Sequence, residues 1–244
     1  MHELWFTALL NQYLAAPANA ILDAFGRSAA NPAKPWSNFM AMEILVIGFL
    51  VALPLILRPM LSVTKPGTLQ QTLEVVWEAL REQAHNVIGH GCDKYMYLFS
   101  TLFFFILSAN LLGMIPTFEA PTMYPSVPLA LAIITFLYYN WAGIAEQGVL
   151  GHLKHFAGPV WWLAWFMFPL EIISHCIRPM SLTIRLYANM FAGEEVTLSF
   201  LALAPLVIPV LVMALHFFVS ILQAFIFTVL TMVYVGGVVA HEDH

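Results

Sequence analysis

The run Pro159–Phe200, PVWWLAWFMFPLEIISHCIRPMSLTIRLYANMFAGEEVTLSF, limits the possible folds more than any other stretch of the chain. Most of it is apolar enough for lipid, yet Glu171, Arg178, Arg185, Glu194 and Glu195 interrupt it. An arginine at bilayer depth costs about 3 kcal/mol on insertion scales. A chain keeps such a residue where it faces a partner, a cavity or an ion path, so Arg185 is the first candidate for function. The remainder of the 244 residues has the same character: 61% hydrophobic and only 9% charged. Soluble domains carry roughly 25% charged residues, so the composition indicates an all-α polytopic membrane protein. The net charge of -5 constrains little when most of the chain lies out of water.

The N-terminal residues MHELWFTALLNQ lack the basic segment and small-residue cleavage site of a secretory signal. Residues 1–38 read as an amphipathic helix followed by the linker NPAKPWSN, lying at an interface. Residues 39–244 read as a single membrane domain. Its first span covers 39–58, with Glu43 near the start and Arg58-Pro59 at the end. Residues 68–88 form an amphipathic surface helix, with Leu69, Leu73, Val76, Leu80 and Ala84 on one face. Spans follow at 95–115, closed by Pro116, and at 127–146, after the proline-rich loop PTFEAPTMYPSVP. Glu146–Gly158 reads as a polar turn. Two longer segments, 159–200 and 205–240, complete about five membrane segments before the tail HEDH. Arg58, Lys65, Arg81, Lys94 and Lys154 then share one side, against Arg27 and Lys34 on the other. That bias predicts an external N-terminus and a cytoplasmic C-terminus.

The last two segments are too long to stand upright. At 1.5 Å per residue they would measure about 63 Å and about 54 Å, against roughly 30 Å of hydrocarbon. Either each is broken, with Gly193 as the break in the first, or both are steeply tilted; a long tilted hairpin aligns the polar residues best. Pro205 and Pro209 mark its turn. At about 100° per residue, Glu171, Ser174, Arg178, Ser181 and Asn189 all fall within about 40° of Arg185. They make a polar stripe some 27 Å long, with Glu194 about 180° away. Two polar faces separated by a cation suggest two aqueous routes that must not join. In the final segment His216 and Gln223 are seven residues apart, on one face. Glu194 with His216 reads as a proton relay.

Plainer readings stand beside these. Gln223 and Asn110 suit helix–helix hydrogen bonds as well as lining a route. Arg178 could reach a headgroup or pair with Glu171, and Arg185 could be one half of an internal ion pair. Glu195 suits an aqueous cavity or the interface, and Trp161, Trp162 and Trp165 suit an aromatic belt. His152 with His155, and His85 with His90 and Cys92, lack a zinc-type signature. Cys92 and Cys176 lie in unlike environments, so no disulfide is expected. No cofactor is implied, and no nucleophile or nucleic-acid motif is present. A haem between His175 and His216 would leave Arg185 without a purpose. A self-contained transporter would show two repeated halves, and none is visible.

SLTIRLYANMFAGE (Ser181–Glu194) resembles the signature of the a subunit of F-type ATP synthases, the membrane stator beside the rotating ring. His216 with LQAFIFTVLTMVY (Leu222–Tyr234) is similar to that family's last helix, and NLLGMIP (Asn110–Pro116) to an earlier span. The resemblance covers most of residues 40–240; the first 38 carry no such signal. It implies that Arg185 is the essential stator cation facing the ring carboxylates. Glu194 and His216 would occupy the outer half-channel, where some members place a histidine at the Glu194 position. Asn189 and Gln223 would flank the arginine, Asn110 would line the outer route, and Glu171, Ser174 and Arg178 would lie toward the cytoplasmic route. The implied partners are an oligomeric ring of c subunits, the b subunit of the peripheral stalk, the rest of the F1Fo complex and the lipid bilayer, with no nucleic acid. The implied location is a bacterial inner membrane. Such a chain couples proton flow to rotation and performs no phosphoryl chemistry itself.

Overall fold

Helix α7 (Ile208–Val239) is the hub of the computed structural model, because its long apolar surface is shared among four neighbours. It packs against α3 (Thr68–Ile88), α4 (Met96–Leu112), α5 (Ser126–Ala157) and α6 (Ala164–Leu203). Two further helices, α1 (Trp5–Ala24) and α2 (Asn38–Leu57), complete an all-α architecture with no strand among the described residues. The structure describes residues 4–24, 31–62, 66–89, 91–115, 118–157, 164–203 and 208–239. Arg27, Lys65, His90, Pro116, Trp161, Trp162, Pro205 and the tail HEDH, singled out above, lie outside them, as do the side chains of His152, Lys154 and His155. α2, α5 as far as Gly148, and α7 from Pro209 are long and apolar enough to cross a membrane, and α4 is a shorter apolar helix.

The core follows from which faces can meet. Phe99 and Ile106 of α4, Tyr139 and Ala142 of α5, Leu182, Leu186 and Met190 of α6, and Ala224, Phe227 and Met232 of α7 form one buried cluster. Between apolar helices in lipid the gain comes from close packing rather than from leaving water. Small residues mark the closest approaches. At Gly236 a side chain would begin 3.1 Å from the Val87 carbonyl of α3. At Gly113 it would overlap the Ala120 side chain and lie 2.8 Å from the Ala120 nitrogen, so the chain after α4 folds back only over a glycine.

Three local features depart from simple periodicity. α5 runs on as helix through the expected polar turn, interrupted at Gly148, whose φ of 72° is a left-handed value. α6 is one helix of 40 residues despite Pro169, Pro179 and Gly193, so the break allowed at Gly193 is not used. α1 kinks at Leu14, ahead of Pro17, whose ring and missing N–H disturb the preceding turn. The kink has a partner: the Trp36 indole N–H donates to the Leu14 carbonyl at 3.0 Å. Asn11 bonds both backbone groups of Trp36, at 3.2 and 3.0 Å, and so seats α1 beside the start of α2.

The amphipathic face of α3 divides in use. Leu80 and Ala84 are buried, whereas Leu69, Leu73 and Trp77 line an apolar groove of about 1150 Å³ with residues of α2 and α4. At the same end Arg81 forms a two-pronged pair with Asp93, at 2.8 and 3.1 Å, and Lys94 meets Glu146 at 2.8 Å.

Candidate functional site: the seams of α6

α6 has a buried side and an outward apolar side, and its polar residues occupy the boundaries between them. Counted from Arg185, the buried Leu182, Leu186 and Met190 lie about 60–140° to one side. The outward Ile177, Met180 and Ile184, each more than half exposed, lie about 80–140° to the other. Arg185 therefore stands on one seam, and Glu194, about 180° away, on the opposite one. A hydrophobic stripe packed on one side and open on the other leaves only these two lines along which a charged group can escape burial in apolar contacts.

Arg185 is half-exposed and, among the described residues, has no carboxylate or hydrogen-bonding partner. It lines a shallow groove of about 410 Å³ with Ile177, Met180, Ser181 and Ile184. An internal ion pair, the plainer reading, is absent for Arg185 among these residues. One turn on, the Asn189 amide donates to Gln223 Oε1 at 2.9 Å, a bond between α6 and α7 beside the cation. Gln223 is buried, and its Nε2 has no partner among the described residues.

On the opposite seam, Gly193 lets α7 come close enough to lay the His216 ring on the α6 backbone. A side chain at Gly193 would meet ring atoms of His216 at 2.8–2.9 Å. His216 Nε2 is enclosed with no hydrogen-bond partner among the described residues. The neighbouring Glu194 is half-buried, while Glu195 is exposed. Beyond them lies a group that periodicity does not reveal. The Tyr124 hydroxyl donates to Glu119 Oε2 at 2.6 Å, and the Asn38 amide reaches Glu119 Oε1 at 3.4 Å. Burial first, then the Glu119 contact and charge, and then the charge of Glu194 push the Tyr124 hydroxyl well above its ordinary value of 10.0. Glu119 and Glu194 thus share one electrostatic environment.

Toward the other end of α6, Glu171 receives two contacts on one oxygen. His175 Nε2 lies 3.3 Å from Oε1, and an Arg178 nitrogen 3.8 Å from the same atom. The Arg178 guanidinium sits 5.9 Å from the Tyr139 ring centre and 5.3 Å from that of Tyr234. Arg178 therefore pairs with Glu171, seven residues and about two turns away on the same face of α6. Ser174 is exposed and Ser181 half-exposed on the same seam.

Asn110 stands apart from both seams. It is fully buried, accepts from the Thr122 hydroxyl at 2.7 Å and donates to the Ser220 carbonyl of α7 at 3.4 Å. In this geometry it ties α4, the turn Pro121–Met123 and α7 together, as a helix–helix hydrogen bond would. Tyr139, Tyr234, Glu119 and Tyr124 are additions that the sequence pattern does not single out, and His175 enters there only as one of two histidines within the spans. A buried histidine inside an otherwise apolar run, and an acid in a proline-rich loop, are the only signals that pointed to them.

Comparison with known proteins bears on this arrangement directly. Residues 39–236 match the ATP synthase A chain family. The chain is similar to the ATP synthase subunit a of Koribacter versatilis, 51% identical over 98% of each chain. It is 52% identical to that of Solibacter usitatus, over 96% of this chain and 100% of the relative. A more distant likeness is to the ATP synthase subunit a of Sulfurimonas denitrificans, 40% identical over 85% of this chain and 93% of the relative. An all-α membrane protein whose longest described helix carries, on one seam, an arginine with no partner among the described residues, and whose residues 39–236 match that family, belongs to the a subunits of F-type ATP synthases.

Proposed function

We propose that Arg185 is the fixed cation of the proton-translocating Fo stator and that it faces the carboxylates of a ring of c subunits. The observation that carries this reading is the position of Arg185: half-exposed, without a carboxylate or hydrogen-bonding partner among the described residues, and bordered by the outward apolar Ile177, Met180 and Ile184. An apolar face with one unpaired cation at its edge suits a partner that is itself apolar and carries isolated acids.

The two seams supply the two offset half-channels. On one side Glu194 and His216, with Asn189 and Gln223 flanking the arginine, serve the outer route. On the other, Glu171, Ser174, Arg178 and Ser181 serve the cytoplasmic route. A ring carboxylate travels through lipid as the neutral acid, since burying its charge is costly. Beside Arg185 the charged form is favoured, so the proton leaves into the cytoplasmic route before the carboxylate is reprotonated from the outer one. The same cation repels a proton passing directly between the routes. The chain carries out no phosphoryl transfer of its own; that chemistry belongs to the rest of the F1Fo complex, to which the b subunit of the peripheral stalk ties it. The sequence's basic-residue bias supports an external N-terminus and a cytoplasmic C-terminus in a bacterial inner membrane.

Disulfide cross-linking tests this orientation. In a Cys92→Ser, Cys176→Ser background, Ile184→Cys should cross-link to a cysteine placed one turn from the ring carboxylate, whereas Leu186→Cys, on the buried side, should not. Equal cross-linking at both positions, or none at Ile184→Cys in an assembled complex, would refute a ring-facing seam.

A further inference from the structure

The seam where α1 meets the start of α2 encloses two hydroxyls that no step described so far requires. Thr7 of α1 is 1% exposed, and its Oγ1 has no hydrogen-bond partner among the described residues. The Oγ of Ser37 is enclosed in the same way. The bonds around them set the two on facing sides of one seam. The Leu4 N–H donates to Asn38 Oδ1 at 3.4 Å, and Asn11 holds both backbone groups of Trp36. Thr7 stands between Leu4 and Asn11 on one face of α1, and Ser37 stands between Trp36 and Asn38.

Neither hydroxyl takes the local bond open to it. Thr183, Thr197, Thr228 and Thr231 each donate to the carbonyl four residues back, and Thr7 does not. Ser37 occupies the N-cap position of α2, where a serine ordinarily accepts from the first turn, yet it makes no such bond. Buried hydroxyls without a partner are costly, and water satisfies them where several polar groups converge. Here they do converge. Beside Ser37, the Asn38 amide reaches Glu119 Oε1 at 3.4 Å, and Glu119 Oε2 accepts from the Tyr124 hydroxyl at 2.6 Å. The turn Pro121–Met123, just before Tyr124, packs against α6, which carries Glu194. A line of polar groups therefore leads from between α1 and α2 toward the Glu194 seam.

We propose that α1 and the start of α2 wall a water-filled mouth of the outer route, in which Thr7 and Ser37 hold the water and Asn38 and Glu119 connect it toward Glu194. The proposal rests on the stator reading above and adds to it the place where water enters and a role for the N-terminal helix. The bonds from Asn11 and from the Trp36 indole fasten α1 in place, so the mouth is a fixed feature of the fold. An apolar partner for α1 would have no use for two enclosed hydroxyls facing one another across the seam.

Cysteine accessibility tests it in the assembled complex. In the Cys92→Ser, Cys176→Ser background, spheroplasts carrying Ser37→Cys or Thr7→Cys are labelled from outside with a methanethiosulfonate that bears a quaternary ammonium. Inverted vesicles are then prepared, and their ATP-driven acidification is compared with that of unlabelled vesicles. Only a thiolate reacts, and a thiolate forms where water reaches the sulfur. Both cysteines should react, and the fixed positive charge should lower pumping by about tenfold or more, with recovery when the disulfide is reduced. The exposed Asn31→Cys should react without loss of pumping, and the fully buried Ala41→Cys, one turn further along α2, should not react. Thiols at 7 and 37 that both stay unreactive overturn the proposal, because the seam is then dry. Thiols that react with no loss of pumping overturn it as well, because the water is then off the route. Arg185→Ala in the same membranes separates the two levels. If that variant pumps like the wild type, the stator reading and this proposal fall together. If its pumping is lost while Ser37→Cys and Thr7→Cys behave like Ala41→Cys, the proposal alone falls.

Discussion

Gly193 has no side chain where the His216 ring needs the space. A methyl group there would start 2.8 Å from the ring, too close for any real contact, so the imidazole has to move. Gly193→Ala is therefore expected to leave the complex assembled, because the obstructing atoms belong to a side chain that can turn. It should slow ATP-driven acidification of inverted vesicles by roughly tenfold, equivalent to about 1.4 kcal/mol. Unchanged pumping would show that the position of His216 does not matter. Charge at the surface behaves differently. The Arg81 guanidinium holds the Asp93 carboxyl below its ordinary value of 3.8, chiefly through their hydrogen bonds. Because the folded-state value is depressed, the pair stabilises the fold above the ordinary carboxylate range, and that contribution is lost as pH falls through the depressed value. Both side chains are exposed, so the effect should be small and screened by salt. Arg81→Gln should lower thermal stability of the solubilised complex slightly at neutral pH and not at all at a pH below the depressed Asp93 value, where the carboxylate is protonated. A loss of equal size at both pH values would mean that the arginine acts through packing instead.

At the scale of helices, the account depends on α6 being continuous. An unbroken helix keeps its 3.6-residue register over 40 residues, and that is why a stripe counted from the sequence stays a stripe in three dimensions. The positions of Arg185, Ser181, Asn189 and Glu194 were legible for this reason: their relation is local to one helix. Partners on other helices were not. Nothing in the spacing of His175 points to Tyr139, 36 residues away on α5, and nothing in the loop after α4 points from Glu119 to Asn38, 81 residues away. The polar stretch after Glu146 was misread as a turn because polarity alone does not end a helix; α5 continues through it past the single left-handed glycine. Asn110 makes a prediction at this scale. If it is the clamp between α4 and α7, then Asn110→Leu leaves the buried Thr122 hydroxyl without its acceptor, at a cost of about 1–3 kcal/mol. The solubilised complex should melt at a lower temperature, with pumping per assembled complex close to wild type. Normal stability with abolished pumping would instead make Asn110 part of the proton path.

For the whole molecule, the arrangement is a hub helix carrying a second long helix whose two seams face different ways. α5 and α7 together fix α6 by packing along its buried side, with Leu182, Leu186 and Met190 against the core, and α3 and α4 hold α7 from behind. The outward side of α6 is left uncovered by the other described helices, and the proposed routes run along its seams. α1 and the linker to α2 are fastened by Asn11 and Trp36 at the end of the molecule where Asn38 meets Glu119. The N-terminal segment lies outside the residues that match the family model, yet the alignment with the Koribacter versatilis relative over 98% of this chain takes in most of it, and it borders the Glu119 and Tyr124 group. The central claim is that one unpaired cation couples the two seams to rotation. ATP-driven acidification of inverted vesicles carrying Arg185→Ala, with assembly of the complex checked in the same membranes, tests it most directly. The account predicts an assembled complex that hydrolyses ATP and pumps no protons. Pumping near the wild-type rate in that variant would contradict it, and would reduce Arg185 to a residue that merely tolerates its place in the membrane.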